Sequence, residues 1–454
     1  MSIAISLSSI TPELKKEIAQ KLVAKPNKTQ YEDDPLPVNC FAVNKEDNSV
    51  YIPLGTWRNF IEVFPDFEYP KTNVKCKKQL YTLETDPKGY RDQNVVAKEA
   101  IERLKEEHCV FIAASPGYGK TSTCNYLAAH FKLKTAVLSH LDTINTQWEE
   151  EFKNFSNAKV QRVKGKVAID PTADVYIFGV QKAATMKRED LAHIGLVIFD
   201  EAHIATITAF TKSLLRFQPK YVIALSATPK RADGMHKLLT MYFGPMTNFI
   251  ERREVKEFTV YKVESPYKPK IEYVMVKGRL TPDWNTITNS IAYNTDRQDY
   301  IVNLCITHKN HRILVLSDRQ EQSTAIYEKL IEKGEKTQLL IGAGKVKKIT
   351  NEADKARIIV GGTKKVGTGF DDPTLTMLIL ASDCKNVEQW EGRIRTTKNL
   401  IFDIVDNYKT YESHWKKFRM PWYTLRGAEI KILSYRDQNE GKVMPSKRLL
   451  AKNI

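Results

Sequence analysis

The chain has 454 residues, of which 42% are apolar, and this length fits two or three globular domains. The sequence has no apolar run of about 18 residues, which argues against a membrane-spanning helix, and lysines follow its apolar start, the reverse of a secretory signal. The formal net charge of +16 indicates a polyanionic partner, with a merely basic protein as the alternative. The six cysteines are scattered without a C-x-x-C pair, which fits a reducing cytoplasm better than a zinc ribbon or a disulfide scaffold.

The first segment of the chain, residues 1–85, contains no signature of phosphate or metal binding. Val50–Leu54 is typical of a short strand, and Pro65 and Pro70 break any long helix in the aromatic stretch around them. We therefore predict a small N-terminal accessory domain over residues 1–85, whose role the sequence leaves open.

Residues 86–246 alternate short apolar strands with segments of helical pattern. Near-continuous apolar runs of this kind are typical of parallel strands that are buried on both faces. Ligands of such α/β sheets bind at the carboxyl ends of the strands. The pattern predicts a first α/β domain over 86–246, with strands at Val110–Ala113, Thr135–Leu138, Val175–Val180, Leu196–Phe199 and Tyr221–Leu225.

A break at Gly244-Pro245 precedes a second stretch with the same alternation. It predicts a second α/β domain of similar size over residues 247–454, again with a parallel sheet. Its expected strands are Phe258–Val263, Ile271–Val276, Arg312–Leu316, Arg357–Val360, Met377–Leu380 and Leu400–Val405.

A glycine-rich turn joins the first apolar strand of the 86–246 domain to a helical segment, with the sequence Ala114-Ser115-Pro116-Gly117-Tyr118-Gly119-Lys120-Thr121. This order predicts a phosphate-binding loop, because backbone N–H groups of the turn and of the helix N-terminus can surround a polyphosphate. Lys120 can reach the β- and γ-phosphates, and the Thr121 hydroxyl can bind Mg²⁺. The first position holds Ala114, where the strict pattern has Gly.

Two carboxylates follow the buried strand Leu196–Phe199. Asp200 can hold Mg²⁺ through water, and Glu201 can orient and deprotonate an attacking water. An N-capping role for Asp200 is the alternative, which the phosphate loop about 80 residues upstream disfavours. The next strand ends in Ser226-Ala227-Thr228, whose hydroxyls could link the nucleotide state to the rest of the domain, with helix capping as the alternative.

In this order the motifs resemble those of superfamily 2 helicases of the DEAH type, over about residues 86–425. The resemblance implies two RecA-like domains that hydrolyse ATP with Mg²⁺ and move along nucleic acid. The segment Thr363–Asp371 looks like the family's fifth motif, in which Thr363 contacts a nucleic-acid phosphate and Asp371 lies near the nucleotide ribose.

The segment Gln389–Arg395 looks like the family's sixth motif, Q-x-x-G-R, which reaches across the cleft between the domains. The resemblance implies that Gln389 and Arg393 sense the γ-phosphate and that the guanidinium neutralises charge in the transition state. The family places a second arginine three residues after the first. Here that position is Thr396 and Arg395 lies one residue early, so Arg393 is favoured as the arginine finger and Arg395 remains the alternative.

Two glutamines extend the resemblance. Tyr90-Arg91-Asp92-Gln93 resembles the adenine-reading Q motif, because a Gln amide can pair with N6 and N7 of adenine; an ordinary glutamine at a helix start is the alternative. Gln181 follows a strand end where the family has a further contact with the nucleic-acid strand.

The order of motifs is most similar to small viral and phage helicases, including phage branch-migration helicases and poxvirus-type transcript-release helicases. We therefore expect an ATP-dependent cytoplasmic helicase, in the host cytoplasm if viral, that unwinds or remodels branched DNA with little sequence preference. The alternatives are a translocase that releases transcripts, an RNA helicase, a non-catalytic nucleic-acid-binding module, and the motor subunit of a restriction-type complex. The oligomeric state is not predicted.

Overall fold

The computed structural model describes residues 1–25, 36–82, 92–115, 117–202, 208–227, 236–252, 255, 257–276, 278–342, 355–367, 370, 372–385, 387–394 and 399–435, without the side chains of residues 208–210, 236, 364, 367 and 389. The chain divides into two compact units, Met1–Glu254 and Val255–Ile454. The first unit therefore contains both the predicted accessory domain and the first α/β domain. It also includes the strand Phe249–Arg252, which pairs with Phe111–Ala114, so the division lies slightly after the predicted boundary at residue 246.

The first unit contains twelve strands and seven α-helices in its described part. The strands are β1 (Ser2–Ser6), β2 (Val23–Ala24), β3 (Val38–Asn39), β4 (Ala42–Asn44), β5 (Ser49–Pro53), β6 (Cys109–Ala114), β7 (Thr135–Ser139), β8 (Val160–Val163), β9 (Val175–Gly179), β10 (Leu196–Phe199), β11 (Tyr221–Ser226) and β12 (Phe249–Arg252). The helices are α1 (Pro12–Lys21), α2 (Gln93–Glu107), α3 (Lys120–Phe131), α4 (Asp142–Phe155), α5 (Val180–Thr185), α6 (Thr208–Leu214) and α7 (His236–Phe243).

The main sheet of the first unit has seven strands in the order β12-β6-β11-β10-β7-β9-β8. All of its pairings are parallel, so the carboxyl ends of its strands meet at one edge. The strands β6, β11 and β10 are neighbours there, with Ser226 beside Ala113 and Phe199 beside Ala224. This order brings the glycine-rich turn, Ser226 and the two carboxylates to the same edge.

Both faces of this sheet are covered, because successive residues of a strand point to opposite sides. Ile112 and Ile198 face helices α2, α3 and α4 in one apolar cluster. Phe111 and Phe199 belong to a second cluster, which also contains Ile52 and Trp57 of the N-terminal segment. The N-terminal segment, which has its own antiparallel sheet in the order β1-β5-β4, thus shares a core with the main sheet.

The described part of the second unit contains nine strands, seven α-helices and one π-helical turn. The strands are β13 (Phe258–Ser265), β14 (Tyr273–Val276), β15 (Arg279–Pro282), β16 (Ile313–Ser317), β17 (Thr337–Leu340), β18 (Ile358–Gly362), β19 (Met377–Leu380), β20 (Asn399–Asp406) and β21 (Glu429–Ser434). The helices are α8 (Trp284–Ala292), α9 (Thr295–Thr307), α10 (Gln320–Glu332), α11 (Thr363–Gly367), α12 (Glu388–Glu391), α13 (Lys409–His414) and α14 (Met420–Leu425), with the π turn at Trp415–Arg419.

The second unit repeats the architecture with a seven-stranded sheet in the order β17-β18-β16-β19-β20-β13-β21. Its pairings are again all parallel, which confirms the predicted α/β class with two parallel sheets. The predicted strand Ile271–Val276 is not part of this sheet, since β14 pairs only with β15 in a separate hairpin. Within the described residues, no helix has the length and apolar character needed to cross a membrane.

Candidate nucleotide site and the motif residues of the second unit

The glycine-rich turn lies between the buried strand β6 and the first residue of α3, Lys120. Gly117 and Gly119 have φ angles of +80° and +95°, a region that side chains other than Gly rarely adopt. A Cβ atom on Gly119 would lie 1.9 Å from Nε2 of Gln93. Glycine is therefore required at residue 119 both by backbone conformation and by space. Pro116 lies outside the described residues.

Gln93 is buried and holds this turn. Its side-chain nitrogen donates to the carbonyl oxygens of Tyr118 at 3.0 Å and Gly119 at 3.3 Å, and its Oε1 accepts from the backbone N–H of Tyr81 at 3.0 Å. The Tyr118 hydroxyl donates to the carbonyl of Asp92 at 2.9 Å. The Gln93 amide is thus engaged by protein groups, and adenine recognition, which remains a prediction, would require it to exchange partners.

Lys120 turns back over the loop that it follows. Its ammonium group donates to the carbonyl of Ala114 at 2.7 Å and to that of Ser115 at 3.4 Å. Thr121 lies beside it in the first turn of α3 and is half-buried. The lysine charge and the N-terminus of a helix meet at this point, an arrangement suited to an anion.

Asp200 follows β10 and is held by two donors that carry no charge. Its Oδ2 accepts from the indole N–H of Trp148 at 2.8 Å, and its Oδ1 accepts from the backbone N–H of Glu201 at 2.9 Å. Burial and then the neighbouring Glu201 carboxylate raise the pKa of Asp200 to about 6. A cation near this carboxylate would oppose both effects, because it favours the ionised form.

The donor set at this edge fits Mg²⁺ rather than a metal held only by protein. Asp200 and the Thr121 hydroxyl supply hard oxygen atoms, the ligands that Mg²⁺ prefers. In the part of the chain that the structure describes, no cluster of three or more His, Cys, Asp or Glu side chains could hold a metal ion. Mg²⁺ commonly uses one or two carboxylates and takes its other ligands from water and substrate phosphates.

Glu201 has a left-handed backbone conformation, with φ of +52°. This conformation costs a residue with a side chain about 1–2 kcal/mol, and strain of this kind tends to persist where structure is held for function. The sequence alone does not reveal it. Ser226 ends β11 between the phosphate loop and Asp200 and is buried, while Thr228 lies outside the described residues.

A cavity of about 600 Å³ opens beside α3 in the first unit. Lys78 connects it to the phosphate loop, since its ammonium group donates to the Ser122 hydroxyl at 2.8 Å, one residue after Thr121. The cavity therefore adjoins the first turn of α3 and is basic. Its lining comprises Val74, Lys75, Cys76, Lys78, Gln79, Leu80, Thr82, Asn94, Tyr126, Ala129, His130 and Lys132.

The predicted nucleic-acid contacts lie at strand ends in different units. Gln181 is exposed in the first turn of α5, directly after β9. Thr363 begins α11 directly after β18, and its hydroxyl donates to Oδ1 of Asp318 at 2.6 Å. Asp318 follows the neighbouring strand β16, a contact between strand ends that the sequence did not indicate.

The sixth-motif segment begins with the short helix α12. Arg393 follows this helix and donates from Nη1 to the carbonyl of Phe370 at 2.6 Å, the residue before Asp371. Gln389 lies in α12, but its side chain is not described, and Asp371 and Arg395 lie outside the described residues. The structure therefore ties the sixth motif to the fifth through Arg393.

The short helix α12 is anchored by an ion pair that the sequence did not reveal. Arg426 donates from Nε and Nη2 to the two carboxylate oxygens of Glu391, at 3.0 and 3.2 Å, and both residues are buried. A two-point contact of this geometry fixes direction as well as distance. No local pattern links the two residues, so only the tertiary structure identifies Arg426 as a support for the sixth motif.

The chain is similar in sequence and in fold to known proteins. Residues 87–231 match the family model of the type III restriction enzyme, res subunit. The putative helicase 161L of Invertebrate iridescent virus 6 is 27% identical over 462 residues, which cover 95% of this chain and 99% of that protein. Transcript termination protein A18 of Yaba-like disease virus is 25% identical over 377 residues, covering 76% of this chain and 77% of that protein.

The solved structure of S. cerevisiae Dbp5 bound to RNA and ADP BeF3 shares the fold, with a TM-score of 0.53 at 15% identity, covering 76% of this chain and 91% of that chain. The two parallel-sheet units are thus tandem RecA-like units. The chain is an ATP-dependent helicase of superfamily 2. Its sequence is similar to those of helicases of viruses and phages.

Proposed function

We propose that this helicase unwinds or remodels branched DNA, such as forks and junctions, with little sequence preference and in the host cytoplasm. The observation that carries the motor activity is that the phosphate loop after β6 and the Asp200-Glu201 pair after β10 lie at the same edge of the sheet, with only β11 between the two strands. The net charge of +16 supports binding to a phosphate backbone. The choice of branched DNA depends on the resemblance of the motif order to phage branch-migration helicases.

In the proposed reaction, Lys120 and the N–H groups of the turn bind the ATP phosphates, with Gln93 holding the turn and contributing to adenine recognition. Thr121 and Asp200 would hold Mg²⁺, which when bound neutralises phosphate charge. Glu201 accepts a proton from the attacking water. Arg393 and Gln389 act on the γ-phosphate, Asp371 on the ribose, and Gln181 and Thr363 on the nucleic-acid backbone.

Release of transcripts or unwinding of RNA is the second candidate. It is favoured by the similarity to the transcript termination protein of Yaba-like disease virus over 76% of the chain. Both candidates use the same residues for ATP hydrolysis. They differ only in whether DNA or RNA stimulates that hydrolysis.

A panel of labelled substrates decides between them. ATP hydrolysis and strand separation are measured with forks, three-way and four-way junctions, blunt linear duplex and the RNA counterpart of each, at one salt concentration. The branched-DNA proposal expects faster unwinding of forks and junctions than of blunt DNA duplex. Equal rates on blunt and branched DNA refute the branched preference, and stimulation by RNA alone establishes the second candidate.

A further inference from the structure

A row of aromatic rings lies on the surface of the second unit. Trp284 is the first residue of α8 and is 45% exposed, and Phe418 lies in the π turn and is 42% exposed. The ring of His414 connects them, with its centroid 6.3 Å from that of Trp284 and 6.0 Å from that of Phe418. We call these three side chains the aromatic surface.

The π turn is the reason that Phe418 faces outward. Helix α13, the π turn and α14 follow one another without a break. Trp415 and Arg419, at the two ends of the turn, are buried. The three residues between them are all exposed, namely Lys416, Lys417 and Phe418. Turns of this kind are rare in helices and are frequently found at functional sites.

Buried contacts fix the aromatic surface in place. Nδ1 of His414 lies 2.5 Å from Oδ2 of Asp383, and Arg419 lies 3.2 Å from the other carboxylate oxygen. The ring of Trp284 meets that of the buried Tyr411 edge-on, with centroids 5.9 Å apart. The rings therefore keep a defined arrangement although two of them are exposed.

Cations lie beside these rings. The ammonium group of Lys385 is 5.9 Å from the ring centroid of Phe418, and both Lys385 and Lys417 are exposed. The carboxylate of Glu412, in the adjoining helix α13, is bound by Lys262 at 2.9 Å. Exposed rings beside cations suit a ligand that combines flat rings with phosphates, and unpaired nucleotides have this combination.

The aromatic surface is continuous with the proposed phosphate contact at Thr363. Asn285 follows Trp284, and its Oδ1 accepts from Nη2 of Arg319 at 3.0 Å. Arg319 in turn follows Asp318, whose carboxylate accepts from the Thr363 hydroxyl at 2.6 Å. A strand bound at Thr363 would thus lie next to the exposed rings. This continuity favours nucleic acid over a protein partner as the occupant.

We propose that the aromatic surface binds an unpaired DNA strand by base stacking, mainly on Trp284 and Phe418, and that Lys385 and Lys417 bind the adjoining phosphates. Thr363 is proposed to contact only the backbone, whereas this site requires accessible base faces, which an intact duplex buries. The inference rests on the proposed function as a DNA helicase. It gives that function a physical basis for preferring forks, which offer unpaired strands, over blunt duplexes.

The first test measures equilibrium binding, without ATP, of a single DNA strand and of a strand of equal length whose central nucleotides are abasic. Wild type should bind the strand with bases about tenfold or more tightly, the effect expected of one stacked base. Trp284→Ala combined with Phe418→Ala should reduce this ratio to about twofold or less, and Phe418→Ala alone should lower it by at least about threefold.

The matched control combines Tyr293→Ala and Leu425→Ala. These similarly exposed residues lie at the far ends of α8 and α14, and the control should keep the wild-type ratio. An unchanged ratio in both test variants overturns the proposal. A base-dependent ratio with RNA and not with DNA overturns the choice of DNA. A lower mass of the double variant in solution makes the surface a contact between copies of the chain and overturns the proposal as well.

A second test concerns the phosphates. Lys385→Ala combined with Lys417→Ala should make the log–log slope of single-strand affinity against salt shallower by about 1.4, or about 0.7 for each phosphate contact. Lys333→Ala, at the exposed end of α10, is the control and should keep the slope. An unchanged slope in the double variant refutes the two phosphate contacts.

These measurements separate failure of the inference from failure of the proposed function. If wild type binds the normal and the abasic strand equally, only the aromatic surface is refuted. If it binds neither strand, the proposed function as a DNA helicase is refuted together with the inference.

Discussion

The two RecA-like units have the same sheet architecture but differ in the groups that bind the carboxylates at the carboxyl ends of their strands. At the first edge, Asp200 is hydrogen-bonded by an indole and a backbone N–H, and Glu201 has a strained backbone. At the second edge, Asp406 is held by both Nε and Nη2 of Arg297, at 2.8 and 3.0 Å, and both side chains are buried.

Paired charges recur through the second unit. Glu391 is bound by Arg426, and the buried Arg419 lies 3.2 Å from Asp383 and 3.4 Å from Asp403. Burial raises the pKa of Asp403, and the Arg419 charge opposes this shift. Each buried charge is tolerated because its partner is present.

This difference indicates a chemical role for the first edge and a structural role for the second. At the first edge, the donors to Asp200 carry no charge, so its carboxylate can still attract a cation. The second edge uses complete ion pairs to fix the position of short motif elements such as α12. The comparison predicts that variants at the first edge lower turnover and leave the free energy of unfolding nearly unchanged, whereas variants at the second edge lower both.

Arg393→Ala is the strongest test of this difference between the two units, because Arg393 lies in the second unit and is nevertheless proposed to act in the chemical step. If Arg393 is the arginine finger, turnover should fall by about 10³-fold or more, with a smaller change in nucleotide affinity. Single-turnover hydrolysis and nucleotide binding measure the two effects. A severe Arg395→Ala variant beside a mild Arg393→Ala variant would transfer the role to Arg395.

Glu201→Gln tests the chemistry of the first edge. The amide cannot accept the proton of the attacking water, so turnover should fall by about 10²–10⁴-fold, while ATP binding and the unfolding midpoint are kept. Glu102→Gln, on the exposed side of α2, is the control. Turnover near the wild-type value in Glu201→Gln would remove Glu201 from the role of base.

Glu391→Gln tests the scaffold role of the second edge. It removes the Glu391 charge from beside the buried Arg426 guanidinium, and breaking a buried ion pair should cost about 3–5 kcal/mol in the free energy of unfolding. Turnover should also fall, since α12 begins the sixth-motif segment. Urea unfolding gives the cost, and the double variant Glu391→Leu with Arg426→Leu should recover part of it. No recovery in the double variant would mean that the ion pair is not the cause.

Trp148→Phe should have a smaller effect, because it removes one hydrogen bond to Asp200 and keeps a ring in the core. A hydrogen bond to a charged group contributes about 1.5–3 kcal/mol, so we expect turnover to fall by about tenfold and the Mg²⁺ concentration at half-maximal rate to rise. Trp57→Phe, in the N-terminal segment, controls for a general effect of losing an indole. If the dependence of turnover on Mg²⁺ concentration does not change, Trp148 does not contribute to Mg²⁺ binding.

Thr363→Ala should have the smallest effect. It removes one proposed phosphate contact, so the log–log slope of DNA affinity against salt should become shallower by about 0.7–0.9. DNA-stimulated hydrolysis should fall by more than basal hydrolysis, and sequence preference should not change. An equal fall in both rates would instead indicate that the Thr363–Asp318 contact supports the sheet edge.

The sequence predicted the central strands of both sheets well and the edge strands poorly. β6 and β10 are buried along their whole length, so they appear as uninterrupted apolar runs. β8 and β21 lie at sheet edges and have the sequences VQRV and EIKILS. Because polar residues interrupt these apolar runs, the sequence analysis did not predict the two strands. The apolar run Ile271–Val276 was wrongly predicted to be a strand of the parallel sheet, since Tyr273–Val276 pairs only within the hairpin β14-β15.

Residue patterns along the chain were sufficient to predict the two parallel-sheet units, the glycine-rich turn before α3 and the order of the motifs. These features are local, since they depend on apolar runs, on the positions of glycines and on short spacings. The distant residues that support them are identified only by the contacts in the folded chain. Gln93 reaches Tyr118 across 25 residues, Trp148 reaches Asp200 across 52, and Arg426 reaches Glu391 across 35. Such contacts form only after the sheets have brought separate segments together, so no local pattern could have indicated them.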